Sequence, residues 1–530
     1  MSRYLIVALI IAASVGATLW QSQYAYVPLE WGLMLSNAKD LATGQVPYKQ
    51  IFIQYGYLTT AIQALAYTFL GGNLQSLMTV TSVAYAIGLF LVYRIAVLTR
   101  LTRWQALSIL FSYFLFHPIA IYPWSNYIAF PLLLLGLKYN LQSKNDVIYP
   151  LLSGLFFGLA ILAREGLAPA IIIFMLSSVV FQFVVKYELR QNIKATLIIL
   201  LGISLPTGIF VIYLISENLL NYWQQIAWNI PKIYAEVMFP HMRGFNILRP
   251  WSIFSLLLPL FDQINQSFIQ FEPRWILFGS IAFANIVVFI KGIVNRKYLS
   301  ANLINVKIAL LSLLMISSVL HLPEVFRVAT GSGIGLINVW FLLRNYKYRL
   351  YLYVSVNIAL ALTAIPMGAG YKFSTTNYFF PNKAQINKAV LISELNDFNG
   401  QKWQSDVYQY YLDISTDLNL IRKQCPNIIY AYNNSHDAFL QIINPFLRYQ
   451  LAPFWLFPEM LELRPDFDIQ KKLLESQDLI LLQSSNVAGV EQPLLAPAQF
   501  HLYRVYISPS STGTKTELRL FIPMTCDIQF

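Results

Sequence analysis

The chain has 530 residues, 57% hydrophobic and 12% charged, with a formal net charge of +12. Its mean hydropathy is +0.53. Soluble domains carry about 25% charged residues. A chain with half that density cannot keep its surface in water, which excludes a soluble enzyme and a disordered linker. A polytopic membrane protein fits.

A membrane-spanning helix needs about 20 largely apolar residues. Eleven segments qualify: 4–20, 75–96, 104–122, 125–141, 147–163, 166–186, 194–215, 275–293, 304–320, 327–343 and 350–367. Two shorter apolar stretches, 57–70 and 250–261, read as interfacial or re-entrant. The first segment lacks the small-residue exit of a cleaved signal and runs into an amphipathic stretch, so it reads as a retained helix.

Charge is uneven along the chain. Residues 1–370 carry 24 basic and 10 acidic side chains, and residues 371–530 carry 13 and 15. With the N-terminus inside, alternation through eleven spans puts 16 basic residues on the cytoplasmic side, Lys307 among them, against only Asp146 and Glu188. The opposite side up to Gly370 has eight of each sign. This bias is the positive-inside signature. It predicts a multi-pass protein of the plasma or inner membrane, with a cytoplasmic N-terminus and an extracytoplasmic C-terminal region. The basic excess is topological, and no basic stripe on a soluble face points to nucleic acid.

The outer face holds the polar material. The first outer loop, residues 21–56, contains an amphipathic helical stretch with Glu30, Asn37 and Asp40 on its polar side. Gly44 stops that stretch, and Pro47-Tyr48 begins an extended segment. A second outer segment, 217–250, carries Glu217, Glu236, His241, Arg243 and Arg249. A third is the short turn from His321 through Glu324 to Arg327.

The order of these features resembles a known group. An acidic residue opens the first outer loop at Glu30; Ala38, Gly44, Pro47 and Tyr48 follow; a Tyr55-Gly56 turn leads into an apolar stretch that closes on Gly71-Gly72. Later, SGLFFGLAILAREGLAPA (153–170) is similar to that group's glycine-rich helix pair, with Arg164-Glu165 in its turn. The pattern resembles the membrane glycosyltransferases of the C-type (GT-C) fold, the superfamily of protein O-mannosyltransferases and bacterial aminoarabinose transferases. It covers residues 1–370 in order, with motif-level matches in 25–72 and 153–170. The resemblance implies a core of about a dozen helices followed by a soluble outer domain, which fits the eleven apolar spans of a 1–370 transmembrane domain and an extracytoplasmic domain at 371–530. It also implies transfer of a sugar from a polyprenyl-phosphate-linked donor to a lipid, glycan or protein acceptor, with Glu30 as the residue that meets the acceptor. The family has Asp at that position, often as an Asp-Glu pair. Here Trp31 follows Glu30, and the next acid is Asp40, about 15 Å along a straight helix.

The chemistry is independent of the resemblance. Glycosyl transfer needs a carboxylate to take the acceptor proton and cations to hold the leaving phosphate, for which the guanidinium fork is well shaped. Glu30 and Asp40 are the candidate catalytic carboxylates. Lys49, Arg164, Arg243, Arg249 and Arg327 are candidate substrate-binding cations, with Tyr48, Tyr55 and Glu165 beside them. Each has a plainer reading: Glu30 as a helix N-terminal charge, Asp40 paired with Lys39 or Lys49, Arg164-Glu165 as a local ion pair, Arg327 as a headgroup anchor, and Arg243 and Arg249 as a rim meeting membrane lipids. The aromatics Tyr24, Tyr26, Trp31, Tyr48, Tyr55, Tyr57, Trp124 and Tyr127 are either sugar platforms or the interfacial belt. His117 reads as a hydrogen-bonded helix residue. His321 and Glu324 are too few ligands for a metal, and no other cluster supports a divalent metal or another cofactor.

Beyond 370, segments 427–432, 478–484, 500–508 and 517–523 read as strands, and 384–398 and 402–424 as helices. These form an α/β or α+β domain, without a nucleophile triad, a P-loop or a metal motif. Cys425 and Cys526, its two cysteines, can pair in an oxidising compartment. Asn265 and Asn433 begin glycosylation sequons. The leading reading is a membrane glycosyltransferase. The alternatives are a transporter or flippase of lipid-linked glycans, against which the absence of a clear internal repeat counts, and a polymerase or ligase of such glycans.

Overall fold

The structure, a computed structural model, describes residues 3–24, 26, 28, 30–53, 55–116, 123–142, 146–186, 189–229, 273–317, 330–364, 383–435, 437–448, 478–487, 490–491, 498–508, 516–526 and 528. The helices of the N-terminal part are α1 (Arg3–Ser22), α2 (Glu30–Ala42), α3 (Tyr57–Phe69), α4 (Leu74–Leu98), α5 (Arg103–Phe116), α6 (Ser125–Gln142) and α7 (Ile148–Ala163). A 3-10 turn at Glu165–Leu167 leads into α8 (Ala168–Lys186), followed by α9 (Leu189–Ser216) and the short α10 (Leu220–Gln224). Then come α11 (Pro273–Val294), α12 (Arg296–Ser317), α13 (Leu336–Leu343) and α14 (Arg349–Ala364).

Each expected span is helical over its described residues except at Val147, a bend ahead of α7, and α12 begins earlier than the sequence implies and kinks at Asn302. Stretch 250–261 lies outside the described residues. Among the described residues, five helices are long and apolar enough to cross a membrane: Leu74–Leu98, Glu165–Val185, Ile193–Ser216, Leu277–Val294 and Arg296–Ile316. Large apolar side chains point outward along them, including Leu176 and Val180 on α8, Leu197 and Leu201 on α9, and Phe283 and Ile290 on α11. An apolar surface of that extent is stable only against lipid, so the chain is an integral membrane protein. α1 packs on α4, where Thr18 Oγ1 donates to Ser82 Oγ at 3.1 Å.

Between α7 and α9 the backbones touch. A Cβ on Gly154 would fall 2.0 Å from the Ile199 carbonyl oxygen, and one on Gly202 would fall 2.4 Å from that of Leu151. In lipid, where apolar burial gives little drive for association, small residues at such a seam let the helices pack. Gly154 and Gly158 of the 153–170 motif are therefore explained by packing, whereas a Cβ on Gly166 would meet nothing within 4 Å. Asparagines tie α11, α12 and α13 together: Asn338 Nδ2 donates to Asn285 Oδ1 at 2.7 Å, and Asn305 Nδ2 donates to Asn338 Oδ1 at 3.0 Å. Lys307, only 2% exposed, donates to Asn140 Oδ1 at 2.9 Å. It belongs to the bundle interior, not to the basic rim where its charge places it by sequence.

The expected boundary after Gly370 falls outside the described residues. Past it lie α15 (Lys383–Lys388), β1 (Ala389–Leu391), β2 (Lys402–Gln404), α16 (Ser405–Gln424), β3 (Tyr430–Asn434), α17 (Phe439–Ile442) and β4 (Leu447–Arg448). β5 (Leu479–Ser484), β6 (Asn486–Val487), β7 (Val490–Glu491), β8 (Phe500–Ser508) and β9 (Thr516–Pro523) complete the elements among the described residues. The main sheet has the order β4-β3-β5-β9-β8, with β3 parallel to β4 and β5, and β9 antiparallel to β5 and β8. All four expected strands are present. The expected helix 384–398 is not: it ends at Lys388, and Ala389–Leu391 pairs antiparallel with Lys402–Gln404. Gly400, at φ +88°, turns the chain back, and β-branched Val390 suits the strand. Cys425 and Cys526 form a disulfide between the end of α16 and the segment after β9. Asn433 is buried, donating to the Asp437 carbonyl at 2.8 Å and accepting from Ser435 Oγ at 2.6 Å. That sequon is closed to a glycosylating enzyme; Asn265 lies outside the described residues.

Candidate functional site

The two motif segments meet at one end of the bundle. α7 stops where Arg164 turns extended (φ −157°, ψ 101°), and the next residue is Glu165. Its Oε2 accepts the backbone N–H of Gly56 at 2.9 Å, and Thr59 Oγ1 donates to the Ala163 carbonyl at 2.8 Å. The Tyr57 N–H and the Trp223 indole lie against the same carboxylate. Gly56 has φ +23°, and a Cβ there would come within 2.2 Å of Ala163 backbone atoms. A glycine is required because the first loop rests directly on the last turn of α7.

Tyr48 lies beside this turn. It is buried at φ +63°, a left-handed conformation that costs a bulky residue of order 1–3 kcal/mol. Burial first, then the neighbouring Glu165 carboxylate, raises the pKa of its hydroxyl well above the ordinary tyrosine value. Tyr48, Ile51, Phe52 and Ile53 pack with Phe210, Leu214, Leu219 and Ile226 as a separate apolar cluster, edged by Tyr57, Tyr213 and Trp223. Asn37 Nδ2, on α2, donates to the Phe52 carbonyl at 2.8 Å, which fixes this loop to α2.

Glu30 is the first residue of α2 and is partly exposed, whereas Trp31 through Ala38 are buried. A carboxylate there is favourably placed against the helix dipole. Asp40 is near the other end of the same unbroken helix, 5% exposed, and accepts from Gln45 Nε2 at 3.2 Å. Ten residues of helix separate the two carboxylates by about 15 Å along its axis. Lys39 pairs with Asp397 at 3.0 Å instead of Asp40, and Lys49 is exposed. Arg164 is half-buried at the turn. Arg243, Arg249 and Arg327 lie outside the described residues, as do His117, His321 and Glu324.

Half of the eight aromatics singled out by sequence are buried. Trp31, Tyr48, Trp124 and Tyr127 are buried in the core. Tyr55 packs on Trp124 with ring centroids 4.2 Å apart, and Tyr26 packs on Trp403, Tyr411 and Phe439 of the C-terminal region. Sequence reasoning misses Tyr67, Asp397, Tyr411 and Asp437, which join α2 and α3 to that region. No local pattern marks them, because their partners lie hundreds of residues away. Among the described residues, no three His, Cys, Asp or Glu side chains gather as a metal site would require.

No family model matches the chain, and no curated protein matches it. Among solved structures, the chain is similar to ArnT from Cupriavidus metallidurans in the apo state. That alignment covers 97% of both chains at 12% identity and a TM-score of 0.41. The same protein bound to undecaprenyl phosphate aligns over 97% of both chains at 10% identity and a TM-score of 0.42. An oligosaccharyltransferase from Archaeoglobus fulgidus, in complex with Zn and sulfate, aligns at 13% identity and a TM-score of 0.42. In that alignment 86% of this chain is covered, against 59% of the other.

Proposed function

We propose that this chain is an integral membrane glycosyltransferase that moves a sugar from a polyprenyl-phosphate-linked donor to an acceptor at the end of the bundle bearing α2. One observation carries the reading: the Gly56–Glu165 contact closes the first loop onto the α7–α8 turn, so both motif segments build one site. Glu30, at the start of α2, and Arg164, at the α7–α8 turn, are both partly exposed residues and are the carboxylate and the cation assigned to that site in this reading.

In the reaction, Glu30 takes the proton of an acceptor hydroxyl or amine as that atom bonds to the anomeric carbon. The bond from that carbon to the phosphate oxygen breaks, and its electron pair leaves on the carrier phosphate. Arg164, with Arg243, Arg249 and Arg327 as further candidates, offsets the charge that develops there. Asp40 has its own place at the far end of α2, next to Gln45.

Two arguments support an extracytoplasmic location for the same end of the bundle. By sequence the basic residues cluster at the opposite helix ends, and a bridge such as Cys425–Cys526 persists in an oxidising compartment.

The test is transfer of radiolabelled sugar from polyprenyl-phosphate donors in membranes, comparing wild type with Glu30→Gln. The expected loss is about 10²–10⁴-fold, the usual contribution of a general base. Equal transfer by both removes Glu30 as the base. No transfer from any donor, with carrier-linked sugar crossing the bilayer instead, favours the transporter.

A further inference from the structure

α2 is too short to hold its own position. It has 13 residues and includes Gly32, Ser36 and Asn37, and isolated helices below about 12–15 residues are marginal in water. Its placement comes from its partners, and one of its flanks is covered by the C-terminal region along its length.

At the Glu30 end, the Tyr26 and Tyr411 hydroxyls are 2.8 Å apart, and Tyr411 donates to Asp437 Oδ2 at 2.5 Å. The other Asp437 oxygen accepts the N–H of Phe439 at 3.0 Å, at the start of α17. In the middle, Gly32 lies so close to α17 that a Cβ would sit 2.8 Å from Ala438 and from Phe439 N. Ser36 Oγ donates to Gln441 Oε1 at 3.4 Å. At the Asp40 end, Asp397 uses both oxygens: Oδ2 accepts from Lys39 Nζ at 3.0 Å, and Oδ1 accepts from Tyr67 of α3 at 2.8 Å. Lys39 also donates to the Ile442 carbonyl at 3.2 Å.

We infer that the C-terminal domain is the positioning element for the helix that bears Glu30, with Asp437 and Asp397 as positioning residues that fix its two ends. Neither touches substrate. This deepens the proposed function and rests on it for the role of Glu30. The physical reason is geometric, since a misplacement of about 1 Å in a catalytic group can cost 10²-fold in rate. A domain joined to the same helix at three points differs from one that merely captures acceptor. An acceptor-binding domain would alter KM when loosened, whereas a positioning domain alters turnover.

The test uses the full chain in lipid nanodiscs, with Asp397→Ala, Asp437→Asn and the milder Tyr67→Phe. Hydrogen exchange is followed in peptides covering residues 30–42 and in β5 as an internal control. The expected result for Asp397→Ala is exchange in 30–42 faster by about ten-fold or more with β5 unchanged, since local opening is separable from global unfolding. Sugar transfer should then show reduced kcat, with the KM of the polyprenyl-phosphate donor held within two-fold (~2). Asp437→Asn should loosen the Glu30 end of the helix by the same readout. If Asp397→Ala also loosens β5, Tyr67→Phe decides by the same measurement. Unchanged exchange in α2 overturns the inference, as does a loosened α2 in an enzyme whose kcat does not move. A loosened α2 in a chain whose wild type transfers no sugar retires the glycosyltransferase reading and still supports the clamp on the helix.

Discussion

The backbone N–H of Gly56 donates to Glu165 Oε2 at 2.9 Å, joining residues 109 apart in the chain. The contact allows no side chain at Gly56, because its Cβ would fall 2.2 Å from Ala163. Gly56→Ala must therefore separate the loop from α7, and it is expected to lower stability by about 1–3 kcal/mol, the usual range for overpacking. Glu165→Ala leaves the Gly56 N–H without its acceptor, at a cost of about 1–3 kcal/mol. Glu165→Gln retains an accepting oxygen and should lose less than Glu165→Ala. Thermal unfolding of the purified protein in detergent ranks the three variants; a Glu165→Gln as damaging as Glu165→Ala would show that the charge matters more than the bond.

The junction around Asp437 makes stability depend on pH. Burial pushes the Asp437 carboxyl from 3.8 up to about 7, against hydrogen bonds from Tyr411 and the N–H groups of Phe439 and Leu440 that pull it down. The groups facing it are the hydroxyls of Tyr411, Tyr26 and Tyr410, with Asp406 acting on Tyr26. Because the folded carboxyl binds its proton more tightly than the unfolded one, the folded state carries more protons between pH 3.8 and about 7. Stability from this group is therefore full below that window, falls as pH rises through it, and is flat above. Melting temperatures of wild type and Asp437→Asn across pH 4–8 (about the window plus a margin) check this. The difference between the two curves should change with pH in that sense, and parallel curves would remove Asp437 as the titrating group.

How much of this was legible follows from where each partner lies. Helix positions could be read because lipid demands apolar runs, and the four longest-patterned strands because β-branched and aromatic residues cluster between turn signals. The α7 glycines were visible as a motif, yet their reason, the 2.0 Å approach to Ile199, is a property of α9. Glu30, Tyr48, Gly56 and Glu165 were singled out by the motifs that carry the resemblance. The ties through Asp397 and Asp437 were not, since Asp397 sits in an ordinary Asn-Asp-Phe-Asn-Gly turn and reaches Tyr67 across 330 residues. The helix expected over 384–398 failed because strand pairing with Lys402–Gln404 overrides local helix propensity there.

The Cys425–Cys526 bridge closes a long loop across the C-terminal sheet, with a sequence separation of 101. In the chain-entropy description, a cross-link over about 100 residues adds about 4–5 kcal/mol by restricting the unfolded state. Cys425→Ser, or reduction of the wild type, should lower the unfolding temperature of that region, while apolar helices in lipid stay intact. The compartment is checked in the same preparation. Protein taken from cells under alkylating conditions should resist maleimide-polyethylene glycol until reduced, then gain two adducts (~2, one per thiol). Immediate labelling of both thiols would place the domain in a reducing compartment and reverse the orientation.

Glu30 and Asp40 share one continuous helix but lie at its two ends, about 15 Å apart. Groups separated by more than about 7–10 Å, with no common partner, have effects that add to within about 0.5 kcal/mol. The double-mutant cycle on sugar transfer therefore has a definite expected result. Glu30→Gln should lower kcat by about 10²–10⁴-fold as loss of a base. Asp40→Asn, whose carboxylate is 5% exposed and accepts from Gln45 Nε2, should act mainly through the shape of the loop after α2. The double variant should then lose the product of the two factors. A double variant no worse than Glu30→Gln alone would mean that both carboxylates serve one proton-transfer step. That outcome would require α2 to bend or unwind during the reaction, and would place Asp40 in the chemistry beside Glu30.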